Sequence, residues 1–264
     1  MVRIIIAGAA GKMGSTILNL ALNDKELSVA GVTEAAGHPL IGQDIGYKSS
    51  VANHPLIIAG DLTKVIEEGD VVIDFTEPAA SLNHFRIARR HNKAIVIGST
   101  GFNDDALDEI RAAKDARVVI SPNMSVGMNL MFDVVERISK VLKDGYDTEI
   151  VEMHHRWKKD SPSGSAVRLK EAIQRGNPKR DWLEVSGRKG ITGGRKDNEI
   201  AVMSLRGGDV VGEHTVIFAG IGERLEVTHR AHSRETFAAG ALVAAKWLVN
   251  QPNGIYTMKD VLGI

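Results

Sequence analysis

The chain has 264 residues, of which 43% are hydrophobic, so it can form one large domain or two ordinary ones with a substantial core. Lysine plus arginine and aspartate plus glutamate number 33 each, which excludes the basic excess that non-specific nucleic-acid binding requires. The sequence has no cysteine, which excludes disulfides, thiolate catalysis and cysteine-ligated metal centres. No apolar run approaches the roughly 18–20 residues of a membrane span. We therefore expect a cytoplasmic protein with no nucleic-acid or membrane partner, and the short apolar run at 2–8 continues into glycines instead of a signal-peptide cleavage site.

The first half of the chain alternates β-branched runs with amphipathic stretches. The predicted elements are strand 3–7, glycine turn 8–14, helix 15–22, strand 27–33, strand 71–75, helix 79–92, strand 94–97, helix 104–115 and strand 117–120. Strands that alternate with helices predict a Rossmann-like, doubly wound parallel sheet. Right-handed crossovers then place the loops that follow the strands at one edge.

The pattern changes after about residue 125. A long helix is predicted at 126–142 and an apolar helix at 234–249. Between them lie strands 149–154, 200–206, 214–219 and 224–230, a helix at 165–174, and a Gly-rich basic loop at 187–198 that we expect to be mobile. The expected fold is therefore α/β, with an N-terminal Rossmann-like domain and a C-terminal α+β domain that has an open mixed sheet.

The glycine-rich segment GAAGKMG (8–14) lies between a predicted strand and a predicted helix. Glycines permit a tight turn there and let backbone N–H groups approach a pyrophosphate at the helix N-terminus. Glu34 ends the second strand, where an acidic side chain can accept hydrogen bonds from a ribose. Together these features predict a dinucleotide site, although the spacing is GxxGxxG, with Ala10 and Met13 at two expected glycine positions. The alternative interpretation is an ordinary tight turn.

Residues that follow the later strands are further candidates for the same sheet edge, although turn chemistry alone could explain them. The cofactor-binding candidates are Gly8, Ala9, Ala10, Gly11, Lys12, Met13, Glu34, Phe75, Thr76, Gly98, Ser99, Thr100, Pro122, Asn123, Met124 and Ser125. Lys12 could favour a ribose 2′-phosphate, whereas Glu34 would repel one. Because Ala35 and Ala36 follow Glu34 and no arginine does, the sequence favours NADH, with NADPH also accepted.

Residues 149–166 (EIVEMHHRWKKDSPSGSA) concentrate imidazoles, cations and a Pro-Ser-Gly turn. His154 and Lys158 can both supply protons. Backbone N–H groups and hydroxyls at the start of the following helix can bind an anion, and they belong to Ser163, Gly164 and Ser165. The alternative is an exposed charged strand end followed by a capped helix. Since the adjacent His154 and His155 would point to opposite faces of a strand, we expect no metal site.

This segment resembles the signature of the 4-hydroxy-tetrahydrodipicolinate reductases, formerly called dihydrodipicolinate reductases. The signature is E-[IV]-x-E-x-H-x3-K-x-D-x-P-S-G-T-A, and every specified position agrees except Ser165, where the family has threonine. The change keeps the hydroxyl. The resemblance covers essentially the whole chain, because it extends to GAAGKMG, DFTEP (74–78), GSTGF (98–102), SPNMSVGMN (121–129) and residues 206–234.

The resemblance implies NAD(P)H-dependent reduction of 4-hydroxy-tetrahydrodipicolinate, a small cyclic dicarboxylate, in diaminopimelate and lysine biosynthesis. It implies that His154 is the general acid, that Lys158 is a second proton donor and that His155 contacts the substrate. Gly164 and Ser165 would hold a substrate carboxylate. At Ala35, many members of the family have an arginine that favours NADPH.

The resemblance also implies the domain arrangement and the assembly. A dinucleotide-binding domain at 1–126 would be completed by the C-terminal helical segment 235–264. Residues 127–234 would form a substrate-binding and oligomerisation domain, whose open sheets pair into a homotetramer. We expect the two domains to close over the substrate, with hinges near 125–127 and 234.

Three other functions are compatible with parts of the pattern. A different two-domain dehydrogenase could act on sugars or semialdehydes, although the absence of cysteine excludes the thioester-forming type. A redox-sensing regulator would be expected to have a helix-turn-helix or a basic patch, and the sequence shows neither. An inactive homologue would be expected to have lost His154, Lys158 or the Pro-Ser-Gly turn, all of which are present.

Overall fold

The computed structural model describes residues 1–45 and 55–264 and divides the chain into two compact units. The first unit contains Met1–Val126 and Arg234–Gly263, and the second contains Gly127–Ser233. In chain order the helices and strands are β1 (Val2–Ala7), α1 (Lys12–Ala21), β2 (Leu27–Thr33), β3 (Ile58–Ala59), β4 (Val71–Asp74), α2 (Pro78–Arg90), β5 (Ala94–Ile97), α3 (Asp104–Ala112), β6 (Arg117–Ile120), α4 (Val126–Leu142), β7 (Asp147–His154), α5 (Gly164–Gly176), β8 (Leu183–Val185), β9 (Glu199–Arg206), β10 (Gly212–Ala219), β11 (Arg224–Ala231), α6 (Glu235–Leu248), β12 (Gly254–Tyr256) and α7 (Met258–Leu262). No helix among these described residues is both long and apolar enough to cross a membrane.

The first unit is built on a sheet that has seven strands in its described part, in the order β12-β6-β5-β4-β1-β2-β3. Every strand pair in it is parallel. The prediction of a doubly wound parallel sheet is therefore confirmed.

Both faces of this sheet are covered, which explains the continuous apolar runs of its strands. On one face, Ile4 and Ile6 of β1 join a cluster with residues of α1 and α6. On the other face, Ile5 joins a cluster that includes Phe85 of α2 and Ile110 of α3. Because all the strands are parallel, the loops that follow β1, β2, β4, β5 and β6 lie at the same edge of the sheet.

The second unit contains a five-stranded sheet in the order β11-β10-β7-β9-β8. β10 is antiparallel to β7 and β11, whereas β9 is parallel to β7 and β8. This confirms the predicted mixed sheet. Side chains alternate between buried and partly exposed along β7, and the buried face packs against α4 and α5. The alternation places Glu152 and His154 on the face that these helices cover.

The Gly-rich loop at 187–198 is attached to the sheet by two arginines. Arg188 forms ion pairs with Glu149 and Glu199, and Arg195 forms them with Asp147 and Glu149. The composition of the loop predicts mobility, because it does not reveal that the partners of the two arginines are carboxylates of β7 and β9, outside the loop itself. The ion pairs attach both ends of the loop.

Candidate functional site

The glycine loop after β1 has a backbone that only glycine accommodates at two positions. Gly8 has a φ of +69°, in the left-handed region. A Cβ on Gly14 would lie 2.0 Å from the carbonyl oxygen of Gly8, so the first turn of α1 packs directly against the loop. Gly11 is the N-cap of α1, and its residue type supplies no capping side chain. The N-terminal N–H groups of α1 are thus presented for an anion such as a pyrophosphate.

Glu34 lies beside this loop because β2 pairs with β1. Its Oε1 accepts a hydrogen bond of 2.7 Å from the backbone N–H of Ala10, and its Oε2 accepts one of 3.2 Å from Ala35. The structure therefore brings Glu34 and the glycine loop together. A carboxylate has about four lone-pair sites, so Glu34 retains capacity for ribose hydroxyls. Lys12 is exposed as the first residue of α1.

Asp74, at the end of β4, connects two of the predicted cofactor-binding loops. It is fully buried, and its Oδ1 accepts hydrogen bonds from the backbone N–H and the hydroxyl of Thr76, at 2.8 and 2.7 Å. The same oxygen accepts a bond of 3.4 Å from the hydroxyl of Ser99, in the loop after β5. Its Oδ2 lies 2.6 Å from Nδ1 of His84 on α2. A buried carboxylate thus holds Thr76 and Ser99 near each other.

Phe75 and Gly98 are also brought together at this edge. A Cβ on Gly98 would lie 2.2 Å from Cε1 of Phe75, so the ring packs directly on the backbone of the next loop. Thr100, two residues further on, is exposed. The loops that follow β4 and β5 are therefore in direct contact.

The loop after β6 is fixed by its own polar groups and by α6. Asn123 accepts at its Oδ1 a hydrogen bond of 2.9 Å from the backbone N–H of Ser125. Met124 is buried, and a Cβ on Gly240 of α6 would lie 1.8 Å from its carbonyl oxygen. Pro122 is exposed at the edge. Helix α6, although distant in sequence, therefore packs directly on a predicted cofactor loop.

In the second unit, the carboxylate of Glu152 is the centre of a buried polar cluster. Its Oε2 lies 2.6 Å from Nδ1 of His154, and its Oε1 accepts a bond of 3.1 Å from the backbone N–H of Ser163. Arg206 of β9 donates to both oxygens, at 2.8 and 2.9 Å. Burial alone would raise the pKa of Glu152, but the hydrogen bonds from His154 and Arg206 lower it well below its ordinary value. Glu152 is therefore an ionised acceptor, and Nδ1 of His154 bears a hydrogen.

Ser163 is the N-cap of α5 and belongs to the same cluster. Its hydroxyl oxygen accepts a hydrogen bond of 3.2 Å from the N–H of Ala166 and lies 3.0 Å from Nε2 of His214. Gly164 is exposed and Ser165 is partly exposed. The N-terminal turn of α5 therefore offers backbone N–H groups on its solvent side, as an anion site requires.

His214 of β10 packs against the His154 ring in the same cluster. Burial, together with the nearby charges of His154 and Lys158, lowers the pKa of His214 to about 3. Its ring centroid is 5.2 Å from that of His154, in an edge-to-face arrangement. His214 is therefore neutral at pH 7. Lys158 is linked to the cluster through Asp160, which pairs with the Lys158 ammonium at 2.9 Å and whose backbone carbonyl accepts a hydrogen bond of 2.7 Å from Arg206.

Lys158 and His155 flank the cluster on the chain segment that leaves β7. Nζ of Lys158 lies 2.9 Å from Oδ1 of Asp160, and the side chain is 21% exposed, so the ammonium remains accessible. The His155 ring lies 6.0 Å from that of Trp157, and its Nδ1 is buried with no hydrogen bond within the described part of the chain. The rings of His154 and His155 thus have different neighbours. In residues 1–45 and 55–264, no group of three or more metal-ligating side chains of the His, Cys, Asp or Glu type is placed to hold a metal ion.

Sequence reasoning assigned no role to Glu152, Arg206, His214 or Asp74. Glu152 could have been found from its spacing, because residues two apart on a strand share a face. Arg206 and His214 lie on other strands, opposite His154 and Glu152 respectively. Only the strand register reveals their contacts.

The chain matches two family profiles along almost its whole length. Residues 2–124 match the profile described as dihydrodipicolinate reductase, N-terminus, and residues 127–262 match dihydrodipicolinate reductase, C-terminus. A 4-hydroxy-tetrahydrodipicolinate reductase from Geotalea uraniireducens is 47% identical, with 100% of each chain covered. Another, from Syntrophus aciditrophicus, is 46% identical and covers 100% of this chain and 99% of its own.

A solved structure agrees in fold. The dipicolinate-bound dihydrodipicolinate reductase from Paenisporosarcina sp. TG-14 superposes with a TM-score of 0.79 at 24% identity, covering 99% of this chain and 100% of its own. At that identity the likeness shows the fold alone. The family profiles and the relatives show more, and the chain belongs to the dihydrodipicolinate reductase family.

Proposed function

We propose that the chain catalyses the NAD(P)H-dependent reduction of 4-hydroxy-tetrahydrodipicolinate to tetrahydrodipicolinate in diaminopimelate and lysine biosynthesis. Relatives that are 46–47% identical over the full length are named for this substrate. The single observation that supports the proposal most strongly is the cluster around Glu152, which holds a proton-bearing imidazole, His154, beside the N-terminal turn of α5. A proton donor and an anion site close together suit the reduction of a cyclic dicarboxylate.

We propose that the first unit binds the dinucleotide and that the second binds the substrate. When bound, the nicotinamide supplies a hydride, which is two electrons and one proton, to the substrate's conjugated C=C–C=N group. The glycine loop fits such a cofactor, because the N-cap Gly11 has no side chain and leaves the first N–H groups of α1 for a pyrophosphate. The close packing at Gly14 holds the loop against these N–H groups. Thr76 and Ser99, oriented by Asp74, would position the cofactor further along the sheet edge.

The residues of the second unit would bind the substrate and supply the proton. The N–H groups of Gly164 and Ser165 and the Ser165 hydroxyl would hold one carboxylate, and His155 would contact the substrate. His154 or Lys158 would protonate the enamine carbon that hydride addition leaves. The overall balance is substrate plus NAD(P)H plus H⁺ giving tetrahydrodipicolinate, NAD(P)⁺ and water, since loss of the 4-hydroxyl group creates the conjugated system.

We propose that NADH is favoured and that NADPH is also accepted. The Glu34 carboxylate is fixed beside the loop by the N–H groups of Ala10 and Ala35, where it would accept hydrogen bonds from ribose hydroxyls and repel a 2′-phosphate. Position 35 offers no cation to a phosphate. Lys12, exposed at the start of α1, is the nearby cation that would allow NADPH to bind.

We propose that the protein is a cytoplasmic homotetramer assembled through the second unit's sheet. The face opposite α4 and α5 includes Val151, Met203 and Thr215, which are cross-strand neighbours at the middle of the sheet. Leu205, which lies on β9 with Met203, is 49% exposed. An apolar sheet face of this kind is stabilised when another copy covers it.

The test is a coupled assay with freshly generated 4-hydroxy-tetrahydrodipicolinate, in which nicotinamide absorbance is followed with NADH and NADPH in parallel. We expect substrate-dependent oxidation of both cofactors, with the higher kcat/KM for NADH. Absence of turnover with both cofactors, in protein that still binds NADH, would overturn the proposed function. A strong preference for NADPH would overturn only the cofactor assignment.

A further inference from the structure

We propose that Glu152 and Arg206 are positioning residues for the reduction, and that they set the charge state of His154 and its placement relative to the carboxylate-binding turn. This inference rests on the proposed function, because it assumes that His154 acts as a proton donor. Neither residue needs to touch the substrate. Glu152 would act through His154 and Ser163, and Arg206 would act through Glu152.

The geometry supports this role because one carboxylate fixes both parts of the site. Oε2 of Glu152 holds Nδ1 of His154 at 2.6 Å, and Oε1 holds the backbone N–H of Ser163 at 3.1 Å. These two hydrogen bonds to one planar carboxylate set the distance between the His154 imidazole and the N-terminus of α5. The opposite ring edge of His154 faces Gly212, where a Cβ would come within 3.0 Å of Nε2. A larger residue at 212 would therefore crowd the nitrogen that is available for proton transfer.

Arg206 fixes the carboxylate in turn. Its two terminal nitrogens donate to the two oxygens of Glu152, and Nη2 also donates to the backbone carbonyl of Asp160 at 2.7 Å. A bidentate guanidinium defines the plane of the carboxylate more strictly than a single-point contact does. Through Asp160, Arg206 also holds the chain segment between His154 and Ser163 in place.

The charged and titratable groups around His154 belong to four chain segments. Glu152 lies on its own strand, Arg206 on β9 and the neutral His214 on β10, while Lys158 and Asp160 form an ion pair on the segment that follows β7. Glu152 is the anion that directly contacts the imidazole, so it favours the protonated ring. Arg206 partly neutralises Glu152, so it weakens that effect. Removal of the Glu152 charge should therefore move the midpoint of the His154 titration to lower pH, and removal of the Arg206 charge should move it to higher pH.

The test compares Glu152→Gln and Arg206→Gln with the parent enzyme. An amide at 152 still offers an oxygen to the N–H of Ser163 but loses the charge that favours the His154 cation. We expect kcat at pH 7 to fall about 10²-fold in Glu152→Gln, with KM for the substrate changed less than threefold. The alkaline limb of the kcat profile should move to lower pH in Glu152→Gln and to higher pH in Arg206→Gln, by about one unit or more.

A second measurement does not depend on turnover. The ring signals of His154, assigned by their loss in His154→Gln, are titrated by NMR in the free protein, and their midpoint should move in the same two directions. Glu149→Gln is the matched control, because Glu149 lies on the same strand and also pairs with two arginines but has no contact with His154 among the described residues. Thermal melting and NADH affinity report whether each variant is folded.

Opposite shifts of the two variants, with Glu149→Gln unchanged, would support the inference, because a purely structural loss would not produce opposite signs. Unchanged His154 titration in both variants, or shifts in the same direction, would overturn it. If Glu152→Gln does not fold, an upward shift in Arg206→Gln supports the inference and an unchanged midpoint contradicts it. If the parent enzyme shows no turnover, the proposed function fails, whereas the NMR titration still decides the charge effect.

Discussion

At the residue scale, the proposed chemistry depends on a histidine that an ionised carboxylate orients. His154 is almost fully buried and bonds to Glu152 at 2.6 Å, so its ring has one defined orientation. A positioned acid typically contributes about 10²–10⁴-fold in rate. Proton donation by such a group requires a fixed ring as well as the proton.

His154→Gln should lower turnover by about 10²–10⁴-fold while NADH binding is retained, because glutamine cannot supply the proton. Lys158→Ala should have an effect of the same order if the ammonium shares this role. Steady-state kinetics and fluorescence titration of NADH provide the measurements. His91→Gln is a suitable control, because His91 pairs with Glu67 in the first unit. Near-normal turnover in both His154→Gln and Lys158→Ala would reject the assignment.

We expect single residues to decide the choice of cofactor as well. Ala35→Arg should raise kcat/KM for NADPH about tenfold, because one added charge-assisted hydrogen bond to a 2′-phosphate is worth ~1.4 kcal/mol or more. Ala35→Gln provides a side chain of similar reach without the charge. An equal gain in both variants, or none in Ala35→Arg, would show that position 35 does not face the 2′-phosphate.

The catalytic and substrate-binding candidates that the sequence provides are contiguous, whereas contacts between distant parts of the chain could not be predicted from it. His154, Lys158 and the Ser163–Ser165 turn belong to one uninterrupted motif, so spacing and residue type are sufficient to select them. Arg206 follows His154 by about fifty residues and reaches Glu152 only because β9 pairs with β7 in a particular register. No local pattern encodes that register.

At the scale of the element, close backbone packing at the start of α1 is the most demanding feature of the first unit. Gly14→Ala would place a Cβ 2.0 Å from the carbonyl oxygen of Gly8. We expect a loss of about 1–3 kcal/mol in unfolding free energy, because α1 must move away from the loop, together with weaker NADH binding. Denaturant melts and cofactor titration measure the two effects. Gly145→Ala has open space around it and should change neither.

Elements with a distinct apolar run or period and turn signals at both ends were predicted correctly, whereas the shortest ones were not. α4 has a clear apolar period, and the strands β5 and β6 are short apolar runs between turns, so all three begin and end where the pattern predicts. β3, β8 and β12 have only two or three residues, too few to display a period. They form because neighbouring strands offer unpaired edges. α1 begins three residues before the predicted start, since its first turn contains the glycine that packs on the loop.

At the scale of the whole molecule, stability should fall on acidification, and His214 should be a principal cause. Its pKa is lowered to about 3 in the folded chain from an ordinary 6.5, so the unfolded chain binds more protons between these values. The stability that neutral His214 provides is present above pH 6.5 and is lost as the pH falls toward 3. Glu152, whose folded pKa is also lowered, acts in the same direction at still lower pH.

His214→Gln cannot titrate, so it should remove about 2 kcal/mol of the difference in unfolding free energy between pH 7 and pH 5. Urea melts of the parent and the variant at the two pH values provide the comparison. The relevant quantity is the change with pH and not the absolute stability, since the substitution also alters the contact with Ser163. An identical pH dependence in parent and variant would contradict this account of His214.

Assembly is the second property at this scale. Val151→Glu would place a charge at the middle of the open sheet face, between Met203 and Thr215 on the neighbouring strands. If that face joins copies of the chain, the variant should elute as a smaller species, because burial of an unpaired carboxylate is costly. Light scattering coupled to size exclusion gives the mass directly. Val141→Glu is the control, because Val141 of α4 is 76% exposed. A tetramer that persists in Val151→Glu would place the interface elsewhere.

The architecture of the whole chain was predictable because strand and helix patterns differ between its two halves. The return of the segment 235–264 to the first unit was expected only from the family resemblance, as a helical segment, because no local feature of these residues indicates which unit they join. The strand β12 within it was not predicted. In the structure, β12 pairs with β6 and α6 packs on the loop that follows β6. The surface on which a helix packs is a property of the folded chain, whereas its helical period is a property of the local sequence.

If the proposed function is right, His154, Lys158 and the turn at 163–165 surround the ring that is reduced. The most direct measurement is a crystal structure of the enzyme with NADH and the planar analogue pyridine-2,6-dicarboxylate. We predict one carboxylate of the analogue on the N–H groups of Gly164 and Ser165, the imidazole and ammonium within hydrogen-bond reach of the ligand, and the nicotinamide stacked over its ring. A ligand bound elsewhere, with His154 and Lys158 both directed into bulk water, would contradict the account.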